Sequence, residues 1–169
     1  MNYSTVPLHS SHKKKDFHCG KDLLDNYLHT QAKQDVKRKL SACFILPDEK
    51  NTVKGYYTLS STAIQRDLLP PEIKSKLPPS YTDLPATLLG RLAIDTGYKG
   101  QGLGENLLID ALRRSYDTSV NSIGSMAVIV DPIDADAARF YLKYGFIALP
   151  NSGKMFLPME TISQLFKET

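Results

Sequence analysis

The chain has 169 residues, of which 41% are hydrophobic, and its 21 Lys and Arg against 18 Asp and Glu give a net charge of only +3. A chain of this length can bury a core without disulfides or structural metal, which excludes disordered and fibrous classes, and no apolar run reaches the roughly 20 residues of a membrane helix. Cys19 and Cys43 form no Cys-x-x-Cys pair, so neither a disulfide framework nor a metal site is expected. We expect a cytoplasmic protein with a single domain over residues 1–169.

The first half of the chain predicts a helix followed by a hairpin. Between Gly20 and Leu40 apolar residues recur at three- and four-residue steps, which predicts an amphipathic helix in one or two pieces. Two β-rich runs, Ala42–Leu46 and Val53–Thr62, flank a short polar segment and predict an antiparallel hairpin. The proline-rich stretch Asp67–Pro85 predicts a long loop with at most a short helix, and loops of this length often act as lids or binding loops.

The second half alternates strands and helices, which predicts a mixed sheet with a β-α-β-α-β order. Asp134 is placed to cap the second of these helices and Gly145 to end it. The predicted elements, in chain order, are a strand at Thr87–Asp95, a helix from Gly102 to about Tyr116, a strand at Ser125–Val130, a helix at Ala135–Tyr144, strands at Phe146–Leu149 and Lys154–Leu157, and a helix from about Met159.

The strongest chemical signal is a glycine-rich run, KGQGLG at 99–104, between a predicted strand and a predicted helix. The first backbone N–H groups of a helix have no acceptor within the helix, and with the helix dipole they bind phosphate groups. The run is not a P-loop, because no Gly-Lys-Ser/Thr follows. It is not the dinucleotide fingerprint either, because Glu105 stands at the third glycine position. A glycine-rich run alone is also compatible with a simple turn of the chain.

Two neighbouring motifs give the glycine run a more specific meaning. The sequence RLAID at 91–95 precedes it, and AARFYLKYGF at 137–146 follows the next predicted strand. Together they resemble the GNAT superfamily of acetyl-CoA-dependent N-acetyltransferases, whose pattern Gln/Arg-x-x-Gly-x-Gly/Ala aligns on Lys99, Gly102 and Gly104. The resemblance implies an α/β (α+β mixed) GNAT fold over residues 1–169, in which helices flank a central mixed sheet and acetyl-CoA lies in a splay between the central parallel strands.

Motifs of the first half resemble a narrower group, the GNAT toxins of type II toxin–antitoxin modules. These motifs are FHCG at 17–20, LLDNYL at 23–28, GYYTLS at 55–60 and LGRLA at 89–93, together with FLPM at 156–159. Members of the group acetylate the α-amine of the amino acid on charged tRNA, inhibit translation and pair with a ribbon-helix-helix antitoxin. The resemblance therefore implies an acetyl-CoA-dependent, metal-free toxin that acts on aminoacyl-tRNA, and it leaves a homodimer open.

The resemblance also implies roles for individual residues. Tyr141 occupies the position of the tyrosine that protonates the coenzyme A sulfur, and a phenol with a pKa of about 10 is protonated at neutral pH. Tyr144 is the competing choice. Cofactor contacts are implied for two short runs, Leu92, Ala93 and Ile94 in the strand, and Lys99, Gly100, Gln101, Gly102, Leu103 and Gly104 in the loop.

If the acceptor is tRNA, lysine and arginine side chains must bind its phosphates. The predicted first helix has a cationic face, the triplet Lys13–Lys15 precedes it, and Arg91 lies before the glycine run. We expect tRNA contacts from Lys33, Lys37, Arg38 and Arg91. The alternative for each is a solvated surface charge, and Arg113 and Arg114 are expected to contact only solvent.

Two other functions remain open from the sequence. One is a GNAT enzyme that acetylates a small amine or a protein N-terminus, and the other is a non-catalytic regulator that binds acyl-CoA without transfer. No general base is apparent. An α-amine has a pKa of about 7.7–8.0, against about 10.4 for lysine, so it needs less help from a base, and this mildly favours the aminoacyl-tRNA acceptor.

Overall fold

The computed structural model describes residues 3–167. Its strands are β1 Val6–Pro7, β2 Ala42–Pro47, β3 Val53–Gln65, β4 Asp83–Ile94, β5 Ala127–Val130, β6 Ile147–Ala148 and β7 Met155–Pro158. Its α-helices are α1 Asp22–Thr30, α2 Ala32–Lys37, α3 Pro71–Lys74, α4 Leu103–Asn121, α5 Ala135–Lys143 and α6 Met159–Leu165, with 3-10 turns at Arg66–Leu68 and Thr96–Tyr98.

Within residues 3–167 the strands form one seven-stranded mixed sheet in the order β1-β2-β3-β4-β5-β7-β6. The pairs β1–β2, β2–β3, β5–β7 and β6–β7 are antiparallel, and β4–β5 is parallel. The mixed α/β class that the sequence predicts is confirmed. The β4–β5 pairing covers Thr87 with Val128 and Leu88 with Ile129, and β4 then continues to Ile94.

Residue contacts divide the chain into two compact units. The first comprises residues 3–60 and 89–114 of the described part, and the second comprises 61–88 and 115–167. Leu28, Ile45 and Tyr56 are among the buried residues in the core of the first unit. Ile64 and Phe156 are among those in the core of the second. The expected single domain over residues 1–169 stays a prediction.

In the first unit, the predicted amphipathic helix forms as two pieces, α1 and α2. Leu24, Leu28 and Ala32 face the core as predicted, but Leu23 is 71% exposed. The β2–β3 hairpin is antiparallel as predicted, with Cys43 opposite Thr58.

The expectation that Arg114 contacts only solvent is wrong, because its side chain contacts other residues of the protein. Its Nε donates to the Tyr57 hydroxyl at 2.9 Å, and its guanidinium lies 3.9 Å from the ring centroid of Phe44. The Tyr57 and Thr5 hydroxyls both donate to the buried Asp110 carboxylate, at 2.7 and 2.5 Å. Arg114 therefore belongs to a network that ties the N-terminal segment to α4 inside the first unit.

In the second unit, the segment predicted as a long loop is held by Arg66, whose guanidinium donates to the carbonyls of Lys74, Leu77 and Pro78. Strand β4 begins at Asp83, earlier than the sequence predicts. No helix in residues 3–167 is both long and apolar enough to cross a membrane.

Helix α5 has the predicted caps. Asp134 accepts from the Ala137 amide at 2.8 Å, and Gly145, with φ +93°, follows the last turn. Positive φ is the left-handed conformation that commonly ends helices and that glycine adopts without steric cost. These caps fix the length of the helix that carries Tyr141.

Candidate active site

The glycine loop, residues 99–104, connects the end of β4 to the start of α4. Asp95 ends the strand segment and accepts from the Gly97 amide at 2.8 Å, which closes the 3-10 turn. Gly100 and Gly102 have φ values of +83° and +74°, and a Cβ built on either one would meet open space. Glycine is therefore needed at these two positions for its backbone conformation.

The loop presents a row of unpaired backbone donors. The first bond into α4 is from the Asn106 amide to the Gly102 carbonyl at 3.1 Å. In the part of the chain that the structure describes, the amides of residues 100–105 have no hydrogen-bond acceptor. Six N–H groups at the positive end of a 19-residue helix form a site suited to phosphate oxygens.

Lys99 differs from the Gln or Arg of the aligned pattern, and the structure shows where its side chain goes. Its Nζ donates to the Cys19 carbonyl at 2.6 Å. The ammonium group thus tethers the loop to the segment His18–Gly20 of the same unit. Among the predicted loop residues, Lys99 therefore anchors the loop through its side chain, whereas the residues that follow it contribute their unpaired backbone amides.

Sequence analysis did not place the segment around His18, which is hydrogen-bonded to the start of this loop, in the candidate site. The His18 amide donates to Asp95 at 3.0 Å, and the Thr96 amide donates to the His18 carbonyl at 2.8 Å. The carboxylate of Asp25 accepts from the Cys19 amide at 2.8 Å and lies 3.0 Å from His18 Nδ1. The signal was present in the motifs FHCG and LLDNYL, where Asp25 follows Cys19 by six residues.

Asp25 is buried, with 5% of its surface exposed, yet it is held ionised. Burial opposes its charge, but the hydrogen bonds from Cys19 and the neighbouring His18 keep the pKa of the carboxyl below its usual 3.8. Burial also raises the pKa of the Cys19 thiol to about 11. The thiol is therefore protonated at neutral pH and acts as a packing residue and donor.

The predicted strand contacts lie at the end of β4. Ala93 is buried, and Leu92 and Ile94 are half-buried. Gly55 makes room for this strand end, because a Cβ at that position would lie 2.6 Å from Ile94 Cδ1 and 2.9 Å from the Ala93 carbonyl oxygen. Any larger residue at position 55 would displace the strand end that leads into the glycine loop.

Tyr141 lies on α5 in the second unit, and only 8% of its surface is exposed. Its ring packs against Phe140 and Phe146, with centroid distances of 5.3 and 5.2 Å. Its hydroxyl has no hydrogen bond to residues 3–167, and it is not among their fully enclosed unpaired polar atoms. Burial raises the pKa of the phenol, so it keeps its proton at neutral and mildly alkaline pH.

The predicted tRNA-binding residues fall into two settings within the first unit. Lys33, Lys37 and Arg38 are exposed on or just after α2. Arg91, on β4, places its guanidinium 3.4 Å from the ring centroid of Tyr27, and no ion pair or hydrogen bond joins it to residues 3–167. Stacking fixes the position of Arg91 while its N–H donors stay available.

Comparison with known proteins identifies the family of the chain. A family model described as an acetyltransferase (GNAT) domain matches residues 85–161. A tRNA-acetylating toxin of Mycobacterium tuberculosis is 32% identical over 134 residues, which make up 79% of this chain and 78% of that protein. The chain belongs to the GNAT acetyltransferase family. The predicted family and the predicted N-acetyltransferase activity are confirmed.

Two solved structures resemble this GNAT acetyltransferase over nearly its whole length. AtaT complexed with acetyl-methionyl-tRNAfMet matches with a TM-score of 0.88 and 29% identity, covering 98% of this chain and 100% of that one. A tyrosine-to-phenylalanine mutant of AtaT, bound to the C-terminus of the antitoxin AtaR and to acetyl-CoA, matches with a TM-score of 0.82 and 27% identity, covering 97% and 98%. The predicted GNAT fold is confirmed.

Residues 3–167 contain no group of three or more His, Cys, Asp and Glu side chains that could hold a metal ion.

Proposed function

We propose that this acetyltransferase transfers the acetyl group of acetyl-CoA to the α-amine of aminoacyl-tRNA, and that it inhibits translation as the toxin of a toxin–antitoxin module. The observation that carries the proposal is the row of six free amides at residues 100–105 in a chain of the GNAT family. The names of its relatives, a tRNA-acetylating toxin and AtaT in complex with an acetylated aminoacyl-tRNA, support the choice of acceptor.

The residues of the loop fit the pyrophosphate of acetyl-CoA. Gly100 and Gly102 leave open space in front of the amides, so phosphate oxygens can approach the N–H groups of the loop and of the first turn of α4. Backbone groups at Leu92, Ala93 and Ile94 pair with the pantetheine arm. Acetyl-CoA supplies an activated acetyl thioester when bound.

Tyr141 acts as the general acid of the proposed reaction. Its hydroxyl donates the proton that the departing thiolate needs, since the buried phenol is protonated at neutral pH. The packing of its ring against Phe140 and Phe146 fixes the direction of the hydroxyl. Tyr144, which is half-buried and also packs on Phe140, is the natural comparison.

The tRNA phosphates are bound by Lys33, Lys37, Arg38 and Arg91. Because Arg91 is held by stacking on Tyr27, it is already ordered before binding, and this reduces the entropy that a phosphate contact costs. The proposed function also implies a ribbon-helix-helix antitoxin as partner, action in the cytoplasm, a single domain over residues 1–169, and a homodimer as one possible assembly.

The test is incubation of the pure protein with labelled acetyl-CoA and charged tRNA, with uncharged tRNA as the matched control. We expect label on the aminoacyl group, released by base hydrolysis as the N-acetyl amino acid. Turnover on a polyamine or a peptide N-terminus, with none on charged tRNA, would replace the proposal by a small-amine or protein acetyltransferase. Acetyl-CoA binding without transfer to any of these acceptors would indicate the non-catalytic regulator.

A further inference from the structure

A cleft of about 150 Å³ lies in the first unit, away from the glycine run in sequence. The segment after β1 forms one wall, and α2 forms the other. Its lining is Leu8, His9, Ser10, His12, Lys14, Lys33 and Val36. A cleft of this volume has room for several water molecules, or for one phosphate group with part of its ester.

Two histidines line this cleft, and the neutral ring of each carries one N–H donor. The His9 amide donates to His12 Nδ1 at 2.9 Å, and the Ser11 amide donates to His9 Nδ1 at 3.2 Å. Because each Nδ1 accepts a hydrogen bond, each neutral ring carries its hydrogen on Nε2. His12 is only 9% exposed, and its Nε2 has no partner within residues 3–167.

The two lysines add positive charge that nothing in the cleft neutralises. Lys14 and Lys33 line it, neither forms an ion pair with residues 3–167, and no lining residue is a carboxylate. Burial and then the nearby His9 lower the pKa of His12, and burial, together with the charge of Lys33, lowers the pKa of Lys14. A bound anion would favour the protonated form of both groups and so oppose these shifts.

We propose that this cleft binds one backbone phosphate diester of the tRNA acceptor, through the Nε2–H groups of His9 and His12 and the ammonium groups of Lys14 and Lys33. The apolar side chains of Leu8 and Val36 suit the ribose carbon atoms that flank a diester. The inference rests on the proposed function for its ligand. It separates Lys33, which belongs to a built site, from Lys37 and Arg38, which are exposed surface charges.

The experiment compares two variants with one control. His12→Asn keeps a side-chain oxygen that can accept from the His9 amide but removes the Nε2 donor. Lys33→Gln removes one exposed positive charge from the cleft. Lys50→Gln removes a charge that is also exposed, in the β2–β3 turn of the same unit. Binding of charged tRNA is measured by filter retention at several salt concentrations, and the acetylation rate is measured separately.

We expect each cleft variant to weaken tRNA binding about tenfold, as the loss of one charge-assisted hydrogen bond does, with kcat unchanged at saturating tRNA. For Lys33→Gln, the slope of log K against log salt should fall by about 0.7 to 0.9, which corresponds to one phosphate contact. Lys50→Gln should bind as the wild type does. Equal affinity and equal slope in all three variants would overturn the proposal.

A titration with inorganic phosphate at constant ionic strength distinguishes an RNA phosphate from a small phosphate ester. The His12 ring proton should shift in the NMR spectrum of the wild type, with His29 as an internal reference, and the shift should weaken in Lys33→Gln. If phosphate shifts His12 but the variants bind tRNA normally, the site serves a small phosphate ester and the RNA proposal fails.

Because tRNA binding is measured without acetyl-CoA, the binding result is independent of the acetylation test. A wild type that binds charged tRNA through the cleft but does not acetylate it would contradict the proposed function alone. A wild type that acetylates charged tRNA while the cleft variants bind it normally would contradict the cleft alone.

Discussion

The glycine loop and helix α5 present two different kinds of group for the proposed reaction. The loop presents six backbone amides whose direction depends on positive φ values at Gly100 and Gly102, whereas α5 presents one side-chain hydroxyl, that of Tyr141. The first site depends on conformation and tolerates changes of side chain elsewhere in the loop. The second depends on one oxygen atom held by aromatic packing. Substitutions should therefore separate cofactor binding from proton transfer.

The largest effect is expected for Tyr141→Phe. The ring packing against Phe140 and Phe146 needs no hydroxyl, so the fold and acetyl-CoA affinity should be unchanged. Loss of the general acid should lower kcat by about 10² to 10⁴-fold. Steady-state kinetics, with acetyl-CoA affinity from calorimetry, checks both parts. Tyr144→Phe is the matched control on the same helix, and a larger loss of kcat in that variant would assign the acid to Tyr144.

The next largest effect is expected for Asp25→Asn, which weakens the support beneath the loop. An amide in place of the buried carboxylate loses charge-assisted bonds to His18 and Cys19, each worth about 1.5–3 kcal/mol. We expect a loss of about 2 kcal/mol in the free energy of unfolding at pH 7. Asp22→Asn, at an exposed position at the start of α1, should change it by less than about 0.5 kcal/mol.

This loss should depend on pH with a definite sign. The folded-state pKa of Asp25 is lowered, so its contribution is fully present above the unfolded value of about 3.8 and is lost as the pH falls below it. Urea unfolding of the wild type and Asp25→Asn at pH 7, 5 and 3.5 should show the difference shrinking at the lowest pH. A constant difference would mean that the ionised carboxylate is not what holds Cys19.

A smaller effect is expected for Gly102→Ala. The residue has φ +74°, so a Cβ costs about 1–2 kcal/mol in the left-handed conformation, although no protein atom crowds it. The acetyl-CoA Kd should rise about tenfold, because the loop leaves the conformation that aims its amides, and kcat at saturating acetyl-CoA should stay within about threefold. Gly124→Ala, where a Cβ also meets open space and φ is not positive, is the control and should bind normally.

The elements that the sequence predicts well are those fixed by neighbouring residues. The Asp134 cap and the Gly145 end of α5 act over three or four residues, and the glycine run lies between one strand and one helix. Each of these features can be recognised in a few consecutive residues of the sequence, because its cause, a side-chain acceptor or a positive φ, is local. The order of strands and helices follows in the same way.

The elements that it misses depend on residues far apart in the chain. The helical pattern predicts that Arg114 faces solvent. Its partners Tyr57 and Phe44 lie more than 50 positions away in the sequence, so the pattern cannot indicate them. Pro85 lacks an N–H donor, and for that reason the sequence predicts a loop there. In the structure Pro85 is exposed between the buried residues Leu84 and Ala86, and its carbonyl accepts from the Met126 amide, as in a strand. The alternation of burial outweighs the missing donor, and β4 begins before the proline.

The smallest effect, and the most direct test of a site made from backbone, is expected for Lys99→Gln. The substitution restores the residue type of the family pattern and keeps an N–H donor, one bond shorter in reach than the Lys99 Nζ that lies 2.6 Å from the Cys19 carbonyl. Because the free amides lie after residue 99, acetyl-CoA affinity should change by less than about threefold and stability by less than about 1 kcal/mol. Lys99→Met, which removes the donor as well as the charge, separates the tether from the charge. Calorimetric titration with acetyl-CoA checks all three proteins. A tenfold weaker Kd in Lys99→Gln, equal to that of Gly102→Ala, would mean that the ammonium group itself contacts the cofactor phosphates and that the loop does not bind through its amides alone.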